Sequence, residues 1–488
     1  MVATGLTPGD EGATALQKVI YDPLTYLDPQ TNTVSNLAAA SITSHDQRVW
    51  TIGVARGRTF SNGDPVTAQS FADSWNRVAY APNRLTDNQS MNVIEGYVAL
   101  NPPSGQPSAK SMSGVQVVNR YTLRVTLTAP LSLFRYVLSY VAFAPVPREA
   151  ASDPTAYTKH PIGNGPYELV GAFAPNQSTP LTVKRWTHYL GPRPGHVQQI
   201  QAKLYSTFGS VTYADFRAGN LDLLSVPQSS GADALRAYPQ RSAKTTLASL
   251  FYLGFPLWER RFADVRVREA FALSIDRSAI VKSIFQGIGT PAAGVAASSA
   301  VGGGAATCMT CTTDPAKARQ LLASAGGWHG SLTLWTYQDP TNMQVLQAIA
   351  NQLKTNLGIG GITIKAQPVS QLYPSLAAHT IDGPFYLYWG AAYPHVYALA
   401  NSLFSASAQG NTTGYRSARF QSLIAKAAGA AAPADTVSFA RQAVTAALND
   451  VPLTPIGEPG VVTVWSKRVG NVHVATLGGA DLRAVTLT

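Results

Sequence analysis

Charged side chains make up only 13% of this 488-residue chain, and acidic residues (26) are fewer than basic ones (37). Lys and Arg stand singly or in short pairs such as Lys184-Arg185, so the formal net charge of +11 forms no cluster. Nucleic-acid binding requires clustered phosphate contacts and is therefore disfavoured. A diffuse positive surface is typical of weak attraction to anionic lipid heads or cell-wall polymers, or of a basic surface without a specific partner.

Long hydrophobic runs are also missing: no segment reaches the roughly 18 uninterrupted apolar residues that a membrane span requires. With 45% hydrophobic residues, the chain is expected to be a soluble globular protein of two to four domains, at roughly 100–200 residues each. Met1-Val2-Ala3 leads directly into ordinary sequence, without a basic and apolar leader. This start predicts either a cytosolic protein or a chain whose leader has been removed.

The chain has only two cysteines, Cys308 and Cys311, in a Gly/Ala-rich segment. Their spacing is that of half a zinc site or of a redox pair, but a structural zinc site needs four ligands and no second pair exists. A thioredoxin-like motif would open a helix after a strand. A small structural disulfide is favoured, with free thiols as the alternative and catalysis or metal binding least favoured.

Catalytic motifs are absent as well, including GxSxG, HExxH, Walker A and the EF-hand loop. The eight histidines are dispersed, and no two stand four residues apart. No sequence pattern favours a pair of catalytic carboxylates. We therefore expect no catalytic residue, no metal and no cofactor, and an enzyme is disfavoured.

The elements that can be identified alternate between strand and helix. Val49–Val54 predicts a strand, and Thr67 is a good N-cap for a helix that follows. Further on, a strand over 332–337, a helix over 342–357 and a strand over 362–366 predict a βαβ unit. Such alternation indicates α/β layers with mainly parallel sheet.

One stretch, 385–397, reads FYLYWGAAYPHVY and contains four tyrosines and a tryptophan without any Asp, Glu, Lys or Arg. Aromatic rings bury large areas, while Tyr and Trp keep one polar group that needs a partner. The composition therefore suits a buried core strand and the wall of a ligand cleft equally well.

Several motifs, in this order, resemble one family: the extracytoplasmic solute-binding proteins of ABC transporters that carry peptides, dipeptides or nickel. Thr59–Phe71 (TFSNGDPVTAQSF) is similar to the family's WSNGDPVTAEDF signature and is the most specific match. The others are, in chain order, GNGPY (163–167), FRAGNLD (216–222), FADVRVREA with the following IDR (262–277), GY (414–415) and DVPLTP (450–455).

The resemblance implies an α/β, two-lobed periplasmic-binding-protein-like fold of class II, with a hinge and with the extra domain of the peptide-binding subgroup. Domain I would comprise 1–28, 160–246 and 461–488, domain II 29–159, and domain III 247–460. It further implies a monomer outside the cytoplasm that captures short peptides and delivers them to ABC permease subunits. A lipid on an upstream cysteine would tether it, or it would be free in a periplasm.

The family usually reads W-x-A-D-Y-P-D-P where this chain has the aromatic stretch. Trp389 and Tyr393 match and are expected to be ring contacts to the ligand. Ala392, however, stands where the family's Asp binds the α-ammonium of the peptide, and His395 where a second acid often falls. The ammonium anchor is therefore missing, and a buried charge without its partner costs several kcal/mol.

Substitutes for that acid would be Asp382, Asp10 or Glu11, or backbone carbonyls. The remaining ligand-contact candidates have a ring or a small side chain: Tyr386, Tyr388, His395, Ala392, Gly12 and Ala13. On a strand, Tyr386 and Tyr388 face opposite to Leu387 and Trp389, so only one of the two faces can line the cleft.

Three interpretations of the ligand remain open. Peptides held chiefly through their backbone are favoured, because main-chain hydrogen bonds tolerate varied side chains. Peptides with blocked ends, or other solutes such as haem or a metal chelate, come second, and a purely core-packing role for the aromatic rings comes third. A secreted hydrolase is the alternative of another class. Nickel alone is disfavoured, because His395 by itself is too few ligands.

Overall fold

A computed structural model describes residues 11–85, 87–173, 179–205, 210–304 and 308–488, except for the side chains of 11–14. The described chain forms two compact units. Unit 1 contains the described residues of 11–224 together with 428–431 and 465–488, and unit 2 contains those of 225–427 together with 432–464. The division into three domains expected from the resemblance stays a prediction.

The strands are mostly three to six residues long. In chain order they are β1 Thr25–Leu27, β2 Val34–Asn36, β3 Ala39–Ser44, β4 Val49–Val54, β5 Val115–Asn119, β6 Thr122–Thr126, β7 Tyr167–Val170, β8 Leu181–Arg185, β9 Gln199–Ala202, β10 Leu223–Val226, β11 Ser242–Thr246, β12 Ser249–Gly254, β13 Thr290–Pro291, β14 Leu332–Tyr337, β15 Ile362–Gln367, β16 Phe385–Gly390, β17 Leu453–Glu458, β18 Gly460–Trp465, β19 Val469–Gly470 and β20 Thr486–Leu487.

Helices of four to eighteen residues connect many of these strands. In chain order they are α1 Glu11–Ile20, α2 Ala68–Ala79, α3 Tyr97–Leu100, α4 Phe134–Val137, α5 Glu149–Ser152, α6 Pro154–Lys159, α7 Ser210–Arg217, α8 Gly231–Ala237, α9 Val265–Leu273, α10 Arg277–Ser283, α11 Pro315–Ser324, α12 Pro340–Leu357, α13 Val369–Ala377, α14 Val396–Phe404, α15 Ala418–Gly429 and α16 Pro433–Asp450. Within the described ranges, none of them is both long and apolar enough to cross a membrane.

The largest sheet lies in unit 2 and has six strands in the order β13-β17-β12-β16-β14-β15. The predicted βαβ unit is confirmed, since β14 and β15 pair in parallel and α12 connects them. The expectation of mainly parallel sheet is wrong: β12 pairs antiparallel with both β16 and β17, and the ladders of unit 1 are antiparallel. Short connections, as between β3 and β4, permit only antiparallel neighbours, because a parallel pair requires a crossover of about a dozen residues.

The helix start predicted at Thr67 is confirmed by its cap, and two helices of unit 2 begin at aspartate caps. Thr67 and Ser70 form a capping box at the start of α2. Asp264 accepts a hydrogen bond from the Arg266 N–H at the start of α9, and Asp314 accepts one from the Lys317 N–H at the start of α11. These caps satisfy backbone donors that a helix leaves open at its first turn.

The core of unit 2 packs α9, α11 and α12 against the six-stranded sheet, with Phe262, Phe271 and Leu334 fully buried. Two buried arginines from the VRVREA…IDR motif hold main-chain carbonyls beside it. Arg268 donates to the carbonyl oxygens of residues 262, 263, 450 and 451, and Arg277 to those of residues 275, 310 and 455. Burial lowers the pKa of Arg277 to about 10, so it remains charged. The motif is thus explained by the architecture of unit 2.

Two further motifs meet in unit 1. The N–H of Ser61, in the SNGDP turn, donates to the Gly163 carbonyl in GNGPY at 2.9 Å. A Cβ on Gly163 would lie 2.0 Å from the Ile20 carbonyl oxygen, so only glycine fits against the end of α1. Asn164 exchanges two 2.9 Å hydrogen bonds with the main chain of Asp22. Close backbone packing therefore explains the glycines and the asparagine of this motif.

Candidate ligand-binding site

The aromatic stretch is buried at both ends and reaches the surface only between them, at 388–392. Phe385, Tyr386 and Leu387 are fully buried where β16 runs between β12 and β14. Tyr388 is 37% exposed, and Ala392 beyond the strand is exposed too. The carboxyl end of β16 lies at the same end of the sheet as those of β14 and β15, with which it shares direction. Ligands of open α/β sheets bind at such ends.

Tyr386 belongs to the core of unit 2. Its ring stacks on Phe251 at 5.8 Å between centroids, and Phe251 stacks on Phe285 at 5.2 Å. Its hydroxyl is buried and has no hydrogen-bond partner within the described part of the chain. Burial raises its pKa well above the ordinary value. The ring face of Tyr386 is therefore occupied by protein, and only its hydroxyl remains to be satisfied.

Trp389 and Tyr388 are held in place at the point where β16 leaves the core. The indole N–H of Trp389 donates to the Ser402 hydroxyl at 2.9 Å, and a Cβ on Gly410 would lie 2.7 Å from the ring. The Tyr388 hydroxyl donates to the Ser249 hydroxyl at 3.0 Å. Both rings are thus positioned by bonds made inside unit 2 while part of each remains accessible to solvent.

His395 and Tyr393 are buried, at 2% and 7% exposure. The Nδ1 atom of His395 accepts a 3.1 Å hydrogen bond from the Tyr397 N–H and so caps α14. Burial lowers the pKa of His395 to about 4, and the imidazole is neutral near pH 7. His395 therefore performs a structural task at the place where the family resemblance expects an acid.

Asp382 does not replace the missing acid. It precedes the amino end of β16, whereas Ala392 follows the carboxyl end, and six strand residues alone span roughly 17 Å at 3.3 Å per step. Its carboxylate accepts from the Trp335 indole at 2.8 Å. The expectation that Asp382 serves at Ala392 is therefore wrong, because the strand separates the two positions.

The remaining candidates lie at the start of the chain. Gly12 and Ala13 fall in the first turn of α1, and their side chains, like that of Glu11, are outside the described part. Asp10 lies outside the described residues altogether. Their expected approach to a ligand stays a prediction.

Two amides at the same end of the sheet are not marked by any local sequence motif. Asn342 lies in the first turn of α12 and is 4% exposed, and Gln367 ends β15 opposite Tyr337. Gln367 Oε1 is buried without a partner in the described structure, whereas the Asn342 side chain is hydrogen-bonded to the Tyr337 hydroxyl. The signal that could have identified them is position, since each directly follows or ends a strand of the predicted βαβ unit.

Together these groups form a polar region at this end of the sheet. An amide oxygen (Gln367) and a phenolic hydroxyl (Tyr386) lack partners in the described structure, and burying such groups unpaired costs about 1–3 kcal/mol each. Tyr337 interacts electrostatically with both Tyr386 and Tyr388, which places these hydroxyls near one another. Such groups can bind a polar, uncharged backbone, and none of them is an acid or a base at neutral pH.

Cys308 and Cys311 form a disulfide in unit 2. The Thr310 carbonyl between them accepts from the buried Arg277, and the neighbouring Met309 is 66% exposed. The pair thus closes a small surface loop that Arg277 anchors. Over the ranges described here, no three His, Cys, Asp or Glu side chains come together as a metal site.

Comparison with known proteins gives a matching family and a similar relative. The model of "Bacterial extracellular solute-binding proteins, family 5 Middle" matches residues 32–411. The glutathione-binding protein GsiB of Salmonella choleraesuis is 28% identical over 495 residues, covering 96% of this chain and 89% of that protein.

Solved structures agree on the fold. The unliganded open form of the periplasmic murein tripeptide-binding protein MppA superposes with a TM-score of 0.84 at 20% identity, covering all of this chain and 95% of that one. Haemophilus influenzae OppA in complex with the peptide RPPGFSPFR gives a TM-score of 0.75 at 19% identity, covering 97% and 94%. The α/β fold is that of the periplasmic binding proteins, and the resemblance carried by the motifs is confirmed: this chain belongs to the bacterial extracellular solute-binding proteins of family 5.

Proposed function

We propose that this protein captures short peptides outside the cytoplasm and delivers them to the membrane permease of an ABC importer. One observation carries the proposal: two accessible aromatic rings lie at the carboxyl end of parallel strands, in the same part of the sheet as a buried amide oxygen and a buried hydroxyl that lack partners. Extended peptides present alternating N–H and C=O groups, which such side chains can satisfy, while rings cover the peptide plane. Relatives named for glutathione and murein tripeptide binding support a ligand of this size.

In the proposed complex Trp389 and Tyr393 contact the peptide with their rings, and Tyr388 lies beside them. Asn342, Gln367 and the Tyr386 hydroxyl bind main-chain atoms. Gly12 and Ala13 let the peptide backbone approach closely, since they lack bulk. Ala392 leaves the peptide's α-ammonium without a carboxylate from this position, so we expect selection for the backbone over the charged end.

Delivery requires a change of conformation. In the proposed arrangement domain II, 29–159, is an insertion into domain I, and domain III comprises 247–460. Peptide contacts to both sides of the hinge exist only when the protein is closed, so binding shifts the population toward the closed state. No covalent chemistry is involved, and the protein is not an enzyme in this proposal. We further propose that it acts as a monomer and is tethered by a lipid on an upstream cysteine.

The proposal is tested by native mass spectrometry of the purified protein, followed by denaturation and sequencing of the released material. A set of masses that resolves into mixed short peptides is expected. A single non-peptide mass, a Soret band after addition of haem, or turnover of the added peptides would contradict the proposal. Calorimetric titrations of the protein with tripeptides and with glutathione then show which peptide length and linkage it binds.

Substitution of Trp389 tests the site. Because a central ring in an interface commonly contributes 2 kcal/mol or more, Trp389→Leu is expected to weaken tripeptide binding at least tenfold. Trp328→Leu is the matched control: this tryptophan of unit 2 packs on Phe262 and Phe271. The control should lower stability and leave affinity within about threefold. Equal tripeptide affinities of the two variants would show that Trp389 does not contact the peptide.

A further inference from the structure

A cavity of about 480 Å³ lies within unit 1. Residues from three separate stretches of the chain line it, namely Arg77, Asn83, Leu85, Pro154, Thr155, Thr158, Lys159 and Phe173. Its volume is in the range of small-molecule sites. Both charged residues of the lining are cations, and its apolar part consists of Leu85, Pro154 and Phe173. Nothing in the proposed peptide site uses these residues.

One nitrogen of the Arg77 guanidinium, Nη1, is buried and has no hydrogen-bond partner in the described structure. The guanidinium lies over the ring of Tyr157 at 5.8 Å, and the Tyr157 hydroxyl is bonded to that of Tyr21 at 2.9 Å. Asn83 donates to the main-chain carbonyl of Arg77 at 2.8 Å. The guanidinium is therefore held in one orientation without an acceptor for Nη1.

Two carboxylates lie close to Arg77 in sequence. Asp73, one turn earlier on α2, accepts from the Gln69 amide at 2.7 Å, and Asp87 accepts from the Tyr140 hydroxyl at 2.8 Å with Oδ1, while its Oδ2 is buried without a partner in the described structure. Neither forms an ion pair with Arg77 or Lys159 among the ion pairs of the described residues. Two cations thus line one cavity, and no carboxylate is among the described residues of its lining.

We propose that this cavity binds a small anion with an apolar portion. Carboxylate or phosphate oxygens would accept from the Arg77 guanidinium and from the Lys159 ammonium, since a guanidinium binds such groups with directional, charge-assisted hydrogen bonds. The hydrophobic part would pack on Leu85, Pro154 and Phe173. Packing of Arg77 on Tyr157 by itself does not account for the second cation.

Calorimetry on the full chain at low salt tests the proposal with three probes of equal length: hexanoate, hexyl phosphate and the uncharged hexanamide. One or both anions are expected to bind at least tenfold more tightly than hexanamide, and their ratio tells a carboxylate site from a phosphate site. Arg77→Gln and Lys159→Gln should each weaken the bound anion about ten- to hundredfold. Lys110→Gln, which removes an exposed lysine of unit 1, is the matched control and should change nothing.

Lys159 is exposed, so its variant decides the question even if Arg77→Gln fails to fold. The tripeptide affinity of Lys159→Gln is measured alongside and should equal that of the wild type, which separates this site from the peptide site. No anion binding at millimolar concentration, equal binding of hexanamide, unchanged anion binding by Lys159→Gln, or displacement of the anion by tripeptide would each overturn the proposal.

Discussion

The replacement Ala392→Asp probes the most unusual feature of the peptide site. Ala392 is exposed in the bend between β16 and α14. A short acidic side chain therefore fits there without disturbing the core. In the wild type no described carboxylate stands at this position, and Asp382 lies beyond the other end of β16. We therefore expect trialanine and N-acetyl-trialanine to bind the wild-type protein with affinities within about threefold of each other.

An aspartate at position 392 would restore a partner for the ligand's α-ammonium. Two unit charges 4 Å apart attract by about 4 kcal/mol at an effective dielectric constant of 20, and desolvation removes part of this. A charge-assisted hydrogen bond retains about 1.5–3 kcal/mol net. Since about 1.4 kcal/mol corresponds to a factor of ten, Ala392→Asp should favour the free over the acetylated peptide by about 10- to 100-fold.

Calorimetric titration of both peptides into wild type, Ala392→Asp and Ala392→Asn measures this ratio. The asparagine variant has the shape of the aspartate without its charge, so its ratio should remain within about threefold. A wild-type preference of tenfold or more for the free peptide would refute the reasoning, because it would mean that another acid already binds the ammonium. An unchanged ratio in Ala392→Asp would show that the ligand's amino end is not near this bend.

The other predictions concern stability and ring position. Because burial lowers the pKa of His395 to about 4, against about 6.5 when unfolded, its contribution to stability is complete above pH 6.5 and is lost as the pH falls toward 4. Denaturant titrations at pH 6.5 and 5 should differ by about 2 kcal/mol more in the wild type than in His395→Asn, and equal differences would contradict this. Gly410→Ala places a methyl group against Trp389; tripeptide affinity should fall several-fold with a shift of tryptophan fluorescence, and normal affinity would mean that the ring position is unimportant. Asp22→Asn leaves the buried Arg483, which binds it at 2.7 Å, unpaired; calorimetric unfolding should show a loss of about 3 kcal/mol, whereas a loss below 1 kcal/mol would show that solvent screens the pair.

The sequence motifs identified the family, and the structure shows which contacts they make in the fold. The most specific one, SNGDP, together with GNGPY, identified the family, and the structure explains both by close backbone packing in unit 1. The arginines of VRVREA and IDR likewise hold carbonyls in unit 2. Most of what made the family recognisable is therefore architecture, and the motifs could reveal the class of protein without revealing which side chains meet the ligand.

The aromatic stretch shows where sequence reasoning stopped. Its composition left core and cleft equally open, and the structure shows buried residues on both sides of a partly exposed segment, 388–392. Tyr386 is enclosed by Phe251, a residue 135 positions earlier in the chain, whereas Trp389 reaches the surface three residues later. No local pattern announces that change, because it depends on where the neighbouring strands end.

The sequence by itself determined the features that depend on interactions between residues close together in the chain. Caps at Thr67, Asp264 and Asp314 and the alternation of apolar residues fix helices and strands through contacts a few residues apart. Tertiary structure alone decided that most ladders are antiparallel, that Asn342 and Gln367 lie at one end of a sheet, and that cations from α2 and α6 share a cavity. These features arise from contacts between distant segments, and the burial that gives each polar group its energetic importance exists only once those segments have packed.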